Sequence, residues 1–290
     1  MTIKRGPTVR RRRLAGELRR LRERSEMTLE EAAEKLGWSP AKLSRIETAR
    51  VGLTSQDLVH MLDIYDLPEE KRAGLISLGR SARKRGWWDA YADSLPSDFP
   101  AYIELEADAA LIRSYDGLIL HGLLQTDEYA REIMRAALMG LSSPAEIERR
   151  VEVRMTRQEL LLREQSPLRF WSIIDEAALT RMVGSAAVMH KQYTKLLQFA
   201  ERDNITIQVL PLAKGAHPAT SGTFALLEFR EAYDPEVVYL EGMSSSLYVE
   251  NDAEIYLYSL AFNHLQAAAL DPEESRLLIA RLAEQASREQ

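Results

Sequence analysis

Two short helices separated by a tight turn are predicted between residues 28 and 47. Apolar residues recur at helical spacing in the first helix, at Leu29, Ala32, Ala33 and Leu36. Thr28 suits the N-cap position, and Glu31, three residues later, completes a capping box. Gly37 provides the left-handed residue that ends such a helix.

The second of these helices is predicted to begin after Ser39, because a proline at the first helical position loses no needed donor. Leu43 and Ile46 are expected to face inward. The residues expected to face outward are Ala41, Lys42, Ser44 and Arg45. This pattern is typical of a helix-turn-helix, whose second helix enters the DNA major groove.

A different pattern follows in the second half of the chain. Helices are predicted at 103–114, 126–139 and 144–164, then one or two within 176–202, then at 253–268 and 272–286. Strands are predicted at 168–174, 205–210, 223–229 and 237–241, with a short one at 247–249, from their β-branched and aromatic content. The expected fold is therefore an all-α, five-helix helix-turn-helix domain followed by an α+β domain, with helices packed on a small sheet.

Charge divides the chain in the same way. Residues 1–86 hold 20 Lys and Arg against 12 Asp and Glu, a net charge of +8; the whole chain is −6, so residues 87–290 carry −14. A basic first third is typical of nucleic-acid binding confined to one end. We expect a basic arm at 1–13, the DNA-binding domain at 14–79, a basic and Pro/Ser-rich linker at 80–100, and a sensing or partner-binding domain at 101–290.

Composition excludes several classes of protein. The chain has no cysteine, and its five histidines show no metal-binding spacing, so neither a disulfide framework nor a metal or other cofactor is expected. No apolar run is long enough for a signal peptide or a membrane span. We expect a cytoplasmic protein without a membrane partner.

The first part of the chain resembles the phage-repressor (Cro-type) helix-turn-helix family. The matching segments are 18–22, 28–37, 39–47, and 54–65, so the resemblance covers about residues 12–67. It implies a five-helix bundle in which Arg22 and Glu47 pair and hold the first helix on the third. These two residues are therefore assigned to architecture and not to DNA recognition.

Several residues are candidates for contact with double-stranded DNA. Arg45 has the reach and the forked geometry to bind guanine O6 and N7. Ser44 and Lys42 are expected to divide between base edges and phosphates, and Pro40 and Ala41 can make only apolar contacts. The resemblance implies a backbone contact for Arg50. The arm residues Arg10, Arg11, Arg12 and Arg13 are expected to lie along phosphates or in a minor groove.

The second part resembles the C-terminal domain of WhiJ-like actinobacterial regulators, which are also described as antitoxin-like. The matching segments are 122–126, 129–130, 154–158, 176–179, 209–211 with His217, and Phe224 with 238–241. Relatives usually carry proline where this chain has His121. The resemblance implies a developmental or stress regulator, frequently encoded beside a small partner protein, and it implies no defined chemical activity.

Candidate ligand or partner contacts in this domain are polar residues of the matching segments: Gln125, Thr126, Arg154, Arg157, Gln158 and His217. A polar helix face is the alternative interpretation of Arg154, Arg157 and Gln158. Convergence of Glu176, Glu241 and His217 at the sheet edge would suit a hydrolase. Isolated charges at strand ends are more often solvated, so no enzyme and no catalytic residue is predicted.

The sequence thus predicts a transcription regulator that binds an operator, with a C-terminal domain that binds a regulatory partner protein or ligand. Two alternatives remain: an antitoxin that neutralises a small cognate protein and represses its own operon, and a one-component regulator that responds to a small molecule. A homodimer is expected, because relatives of this DNA-binding domain occupy paired half-sites. An apolar stripe at Ile147, Val151, Met155, Leu161 and Leu162 is one candidate for its interface.

Overall fold

The computed structural model describes residues 9–81, 87–91, 93–96, 99–230, 235–243 and 245–289. The chain divides into two compact units, an N-terminal unit of Met1–Asp89 and a C-terminal unit of Ala90–Gln290. Residues 1–8 of the predicted arm lie outside the described residues, as do 82–86, 92 and 97–98 of the linker region.

The N-terminal unit contains five α-helices among its described residues. They are α1 (Val9–Arg24), α2 (Leu29–Lys35), α3 (Pro40–Glu47), α4 (Ser55–Ile64) and α5 (Glu69–Ser81). Leucines of α1 and apolar residues of α2, α3 and α4 form one core, with Leu18, Leu43, Met61 and Leu62 fully buried. The predicted all-α helix-turn-helix fold is confirmed.

The turn of the motif follows the residues that predicted it. Thr28 Oγ1 accepts a hydrogen bond from the backbone of Glu31, and the Glu31 carboxylate accepts one from the backbone of Thr28, which completes the capping box. Gly37 adopts a φ of +66° directly after α2. Residues other than glycine are strained in this conformation, so Gly37 fixes where α2 ends.

The first helix starts earlier than the sequence indicated. We expected a basic arm up to residue 13, whereas α1 begins at Val9. The four arginines from Arg10 to Arg13 therefore belong to the first turns of α1, and helical periodicity decides which of them can face solvent.

The C-terminal unit is built on one six-stranded mixed sheet. Its strands are β1 (Leu111–Asp116), β2 (Arg169–Asp175), β3 (Ile205–Leu210), β4 (Phe224–Glu228), β5 (Val237–Glu241) and β6 (Ser246–Val249). The strand order is β3-β2-β1-β4-β5-β6, with β1, β2 and β3 parallel and the remaining neighbours antiparallel. Helices connect the parallel strands β1, β2 and β3, and loops connect β4 to β5 and β5 to β6, as each kind of pairing allows.

Eight helices accompany this sheet in the described part of the unit. They are α6 (Phe99–Asp108), α7 (Asp127–Ala137), α8 (Pro144–Arg157), α9 (Glu159–Leu162), α10 (Glu176–Thr180), α11 (Ala186–Ala200), α12 (Asp252–Ala268) and α13 (Pro272–Arg288). Phe262 and Leu265 of α12 pack against the apolar side chains of Ile173, Leu226 and Val238 on the sheet. The predicted α+β architecture is confirmed.

Two predicted helices were wrong in extent. The helix expected at 103–114 ends at Asp108, and the central strand β1 occupies its second half. The long helix expected at 144–164 stops at Arg157 and restarts at Glu159 as the separate short helix α9. Ile147 and Val151 of its apolar stripe pack against Ala130 of α7, so they belong to the core of the unit.

Candidate nucleic-acid interface and the pocket of the C-terminal unit

Helix α3 presents one apolar and one polar face. Leu43 and Ile46 are buried in the helical core, whereas Pro40, Ala41 and Arg45 are exposed and Ser44 is half-buried. The Ser39 hydroxyl accepts a hydrogen bond from the backbone of Lys42 at 3.2 Å, which caps the helix. The cap and the buried face fix the helix, and its other face remains available to a partner.

Arg45 is the most available cation on this face. Its Nε donates to the backbone oxygen of Ala41, one helical turn earlier, at 3.1 Å. This bond lies within a single exposed helix, so the guanidinium can exchange it for an acceptor on a partner at small cost. Arg50 is also exposed, in the loop after α3.

Lys42 is held by contacts within the N-terminal unit. Its Nζ lies 3.6 Å from the centre of the Trp38 ring and 3.6 Å from Oδ1 of Asp57 in α4. A DNA contact through Lys42 must compete with both interactions. Lys42 is therefore less free than Arg45 to contact a partner.

Arg22 and Glu47 form a buried ion pair between α1 and α3. Arg22 Nε donates to Glu47 Oε1 at 2.8 Å, and Arg22 Nη2 donates to Glu47 Oε2 at 3.0 Å. Arg22 Nη1 also donates to the backbone oxygen of Met27. The hydrogen bond with Glu47 raises the pKa of Arg22 despite the cost of burial. Both side chains are thus occupied inside the bundle and unavailable to DNA.

The arginines of the first turns of α1 differ in position. Arg13 is only 7% exposed, so the expected contact between Arg13 and DNA is not compatible with this conformation. Arg11 is half-buried, and its guanidinium lies against Gly52. The side chains of Arg10 and Arg12 lie outside the described part of the chain.

In the C-terminal unit, the segment 122–126 is held by polar side chains of α11 and by Gln158, which lies between α8 and α9. The Gln158 amide donates to the backbone oxygens of Gly122 and Gln125, at 3.0 and 2.7 Å. Gln192 of α11 accepts from the backbone of Thr126 and donates to the backbone of Leu124. Thr126 Oγ1 caps α7 through the backbone of Tyr129.

Lys195 completes this network, because its Nζ donates to the backbone oxygen of Gln125 and to Gln158 Oε1 at 2.8 and 2.6 Å. Two of the candidate ligand contacts, Thr126 and Gln158, are therefore committed to structural hydrogen bonds. They hold the segment in place and are not free to bind a ligand.

Arg157 has a structural role as well. Its Nε and Nη2 donate to the two carboxylate oxygens of Glu106 in α6, both at 2.7 Å, and Glu106 is fully buried. Burial lowers the pKa of Arg157, but the Glu106 carboxylate outweighs that effect and raises it. Breaking either half of such a buried pair leaves an uncompensated charge.

Arg154 lacks an equivalent partner. Its Nη1 donates to Gln125 Oε1 at 2.6 Å, and its Nε is buried without a hydrogen-bond partner. No carboxylate of the described residues lies within 4.0 Å of this guanidinium. Burial, followed by the neighbouring charge of Arg157, lowers the pKa of Arg154 to about 10. Arg154 remains cationic at neutral pH and lines a small pocket of about 90 Å³ together with Gln125, Arg157 and Glu241.

Two further titratable groups line the same pocket. Asp116, at the end of β1, is buried, which raises its pKa to about 7, although hydrogen bonds from Ser114 and Ser172 oppose the rise. Burial lowers the pKa of His121 to about 3. His121 Nδ1 accepts from the backbone of Leu123, so the proton of the neutral ring lies on Nε2, 3.3 Å from the Tyr102 hydroxyl.

His217 belongs to a different cluster, in the loop after β3. Its Nε2 lies 3.2 Å from the Tyr115 hydroxyl and 3.7 Å from Asp175 Oδ2, and Tyr115 donates to Asp175 at 3.0 Å. Glu176 accepts from the backbone of Leu212. The described contacts of Glu176, Glu241 and His217 do not bring these three side chains together, and they form no hydrolase-like site.

Comparison with known families assigns both units. Residues 99–281 match the model of a family described as a domain of unknown function, DUF5753, which is more than half of the chain. The chain belongs to the DUF5753 family. Residues 13–75 match a family described as a helix-turn-helix domain, which indicates a DNA-binding regulator. Neither the curated proteins nor the solved structures gave a match.

Several pocket and network residues of this DUF5753 protein were missed in the sequence. Glu106, Asp116, Gln192 and Lys195 were not candidates, because none of them lies in a motif or in a matching segment. Each has its role only through contacts with residues distant in the chain. Within the described ranges, no helix is long and apolar enough to cross a membrane.

Proposed function

We propose that this DUF5753 protein is a sequence-specific DNA-binding transcription regulator, whose C-terminal unit binds a regulatory partner protein or ligand. The exposed face of α3 carries the first part of the proposal. It presents Arg45 on a helix whose position is fixed by the Ser39 cap and the Arg22–Glu47 ion pair. The net charge of +8 on residues 1–86 supplies attraction to phosphates.

Base recognition is assigned first to Arg45, as a bidentate donor to guanine. Pro40 and Ala41 are exposed beside it and suit apolar contact with a thymine methyl group. Ser44 and Lys42 are assigned to base edges or phosphates, and Arg50 is assigned to the DNA backbone. Arg10, Arg11 and Arg12 are assigned to phosphates or the minor groove, whereas Arg13 is left out because it is buried.

We also propose a more specific family for each unit. The N-terminal unit resembles Cro-type repressors, and the C-terminal unit resembles WhiJ-like regulators. Cro-type relatives bind paired half-sites, so we propose a homodimer with recognition helices about 34 Å apart. The stripe of α8 and α9 offers little surface for it, because Ile147 and Val151 are buried and only Leu162 is exposed. Light scattering at micromolar concentration should give twice the 33.0 kDa chain mass.

Two more specific functions are compatible with this architecture. An antitoxin would use the C-terminal unit to bind a small cognate protein and would repress its own operon. A one-component regulator would bind a small molecule there. The pocket beside Arg154 favours the second, because it is concave and carries a cation that has no carboxylate partner.

Selection from a library of random DNA duplexes tests the proposed DNA binding. The full chain should enrich a defined sequence, and affinity for that duplex should fall steeply with added salt as counterions are released. Residues 1–86 should retain binding in a mobility-shift assay, and residues 87–290 should show none. Failure to enrich any sequence, or equal binding by the acidic C-terminal half, would reject the proposal.

A further inference from the structure

The pocket beside Arg154 lies at the point where the strand order of the sheet reverses. From β1, the parallel strands β2 and β3 lie on one side and the later antiparallel strands on the other. Open α/β sheets commonly bind ligands at the carboxyl ends of the strands at such a point. Here that position is occupied by Asp116 at the end of β1, and α8 contributes Arg154. The topology therefore places a concave surface where a ligand site is expected.

The two arginines beside this surface are not paired in the same way. Arg157 is neutralised by a bidentate contact with Glu106, whereas Arg154, one helical turn earlier, has only the amide oxygen of Gln125. Arg154 is half-buried, and a partly buried guanidinium is costly unless an anion or several acceptors compensate it. Glu241 lies on the pocket wall and its charge acts on Arg154, but the two side chains form no ion pair within 4.0 Å. The pocket thus has one cation that an incoming anion can neutralise.

The remaining wall is mainly apolar. Tyr102 and Tyr239 stack with their ring centres 4.1 Å apart, and Ile119 and Leu120 lie on the same pocket. His121 is neutral, and the raised pKa of Asp116 reduces the negative charge that an anion would meet. A volume of about 90 Å³ accommodates only a few non-hydrogen atoms.

We propose that this pocket binds a carboxylate group attached to a small apolar body, with Arg154 as its counterion. The planar guanidinium matches a carboxylate better than a spherical anion, and the aromatic and aliphatic wall suits the apolar body. The group can come from a free organic acid or from the carboxyl terminus of a polypeptide. This inference rests on the proposed ligand-binding role of the C-terminal unit and gives that role a chemical class.

Calorimetry on the full chain can separate these sources. Sodium isobutyrate represents the free acid, and isobutyramide is its neutral control of the same shape. An acetylated tripeptide ending in leucine, with a free or an amidated terminus, represents the polypeptide. Binding of either carboxylate together with failure of its amide supports the site, and the tighter carboxylate identifies the source. Equal binding of acid and amide, preference for inorganic phosphate, or no binding of any carboxylate overturns it.

Three variants locate the binding. Arg154→Gln keeps a donor for Gln125 but removes the charge, so carboxylate affinity should fall by at least about tenfold. Arg149→Gln makes the same charge change at an exposed position of the same helix and should leave affinity unchanged. Glu241→Gln removes a competing carboxylate from the wall and should tighten binding.

Circular dichroism checks that each variant is folded. If Arg154→Gln does not fold, Glu241→Gln decides the question, because unchanged or weaker binding in that variant overturns the assignment. Wild-type affinities in Arg154→Gln would do the same. The selected duplex is titrated into the same wild-type preparation. Carboxylate binding without DNA binding would reject the proposed regulator and keep the pocket. DNA binding without carboxylate binding would reject only the pocket.

Discussion

Arg22 of α1 and Glu47 of α3 are joined by two parallel hydrogen bonds, and their side chains are only 10% and 4% exposed. They lie 25 positions apart in the chain, so the pair closes the bundle around the turn of the motif. Its geometry sets the position of α3 relative to α1, and through it the position of the proposed DNA-recognition surface.

Replacement of Glu47 should therefore destabilise the N-terminal unit. Glu47→Ala strips a buried guanidinium of its partner, and the free energy of unfolding should fall by about 3 kcal/mol. Chemical denaturation measures the change. The double variant Arg22→Met with Glu47→Leu should regain much of the loss, because it leaves no unpaired charge. Selective loss of DNA affinity at unchanged stability in Glu47→Ala would instead assign Glu47 to DNA recognition.

Arg45 should show the opposite behaviour. Arg45→Ala removes an exposed side chain, so thermal stability should stay unchanged, while affinity for the selected duplex falls by about 1–3 kcal/mol. Arg202→Ala removes one exposed positive charge from the C-terminal unit and serves as the control. Equal losses in the two variants, or an equal loss of Arg45→Ala on unrelated DNA, would show that Arg45 contributes only charge.

Two glycines of the N-terminal unit should respond in opposite directions to the same substitution. A Cβ at Gly16 or at Gly37 meets no atom within 4 Å, so only the backbone differs. Gly16 lies inside α1, and Gly16→Ala should stabilise the unit by about 0.5–1 kcal/mol. Gly37 has a φ of +66°, and Gly37→Ala should cost about 1 kcal/mol. Thermal unfolding tests both, and a shared sign would contradict this explanation.

Asp116 should make the C-terminal unit less stable as the pH rises from about 4 to 7. Its pKa is raised to about 7, so the folded state holds a proton that the unfolded chain releases near pH 4. The stabilisation is complete below pH 4 and lost above pH 7. Asp116→Asn keeps an acceptor for Ser114 and Ser172, and should gain stability over wild type at pH 8, by roughly 4 kcal/mol at most.

The effect of His121 on the pH dependence of stability is opposite to that of Asp116, and the two effects must be measured separately. The pKa of His121 is lowered to about 3, so its contribution to stability is present above pH 6.5 and lost as the pH falls towards 3. Denaturation of Asp116→Asn across this range should therefore show stability that falls steadily with acid. A flat profile in Asp116→Asn would contradict the neutral state of His121.

Local signals in the sequence predicted the N-terminal unit well. The caps at Thr28 and Ser39 and the stop at Gly37 are each set by a few adjacent residues, and the structure has them at those positions. The exception is Arg13. A run of arginines indicates exposure, but α1 starts at Val9, and the helical period turns Arg13 inward beside Leu14.

The pocket was less predictable because long-range pairing creates it. Strand β1 was mistaken for helix, since it carries Arg113 and Ser114 and shows no alternation; its central position between β2 and β4 makes it a strand. The partners Glu106 and Arg157 are 51 positions apart, and no sequence pattern joins them. Arg154 was a candidate, but the sequence could not show that Glu106 pairs with Arg157 and leaves Arg154 without a carboxylate partner.

Segment 122–126 forms part of the pocket wall. Hydrogen bonds with Gln158, Gln192 and Lys195 hold it in place before any ligand binds. A pocket held in this way loses little conformational freedom when it is filled. The association rate constant should then be set by diffusion to the pocket, and differences in affinity among ligands should appear in their dissociation rate constants.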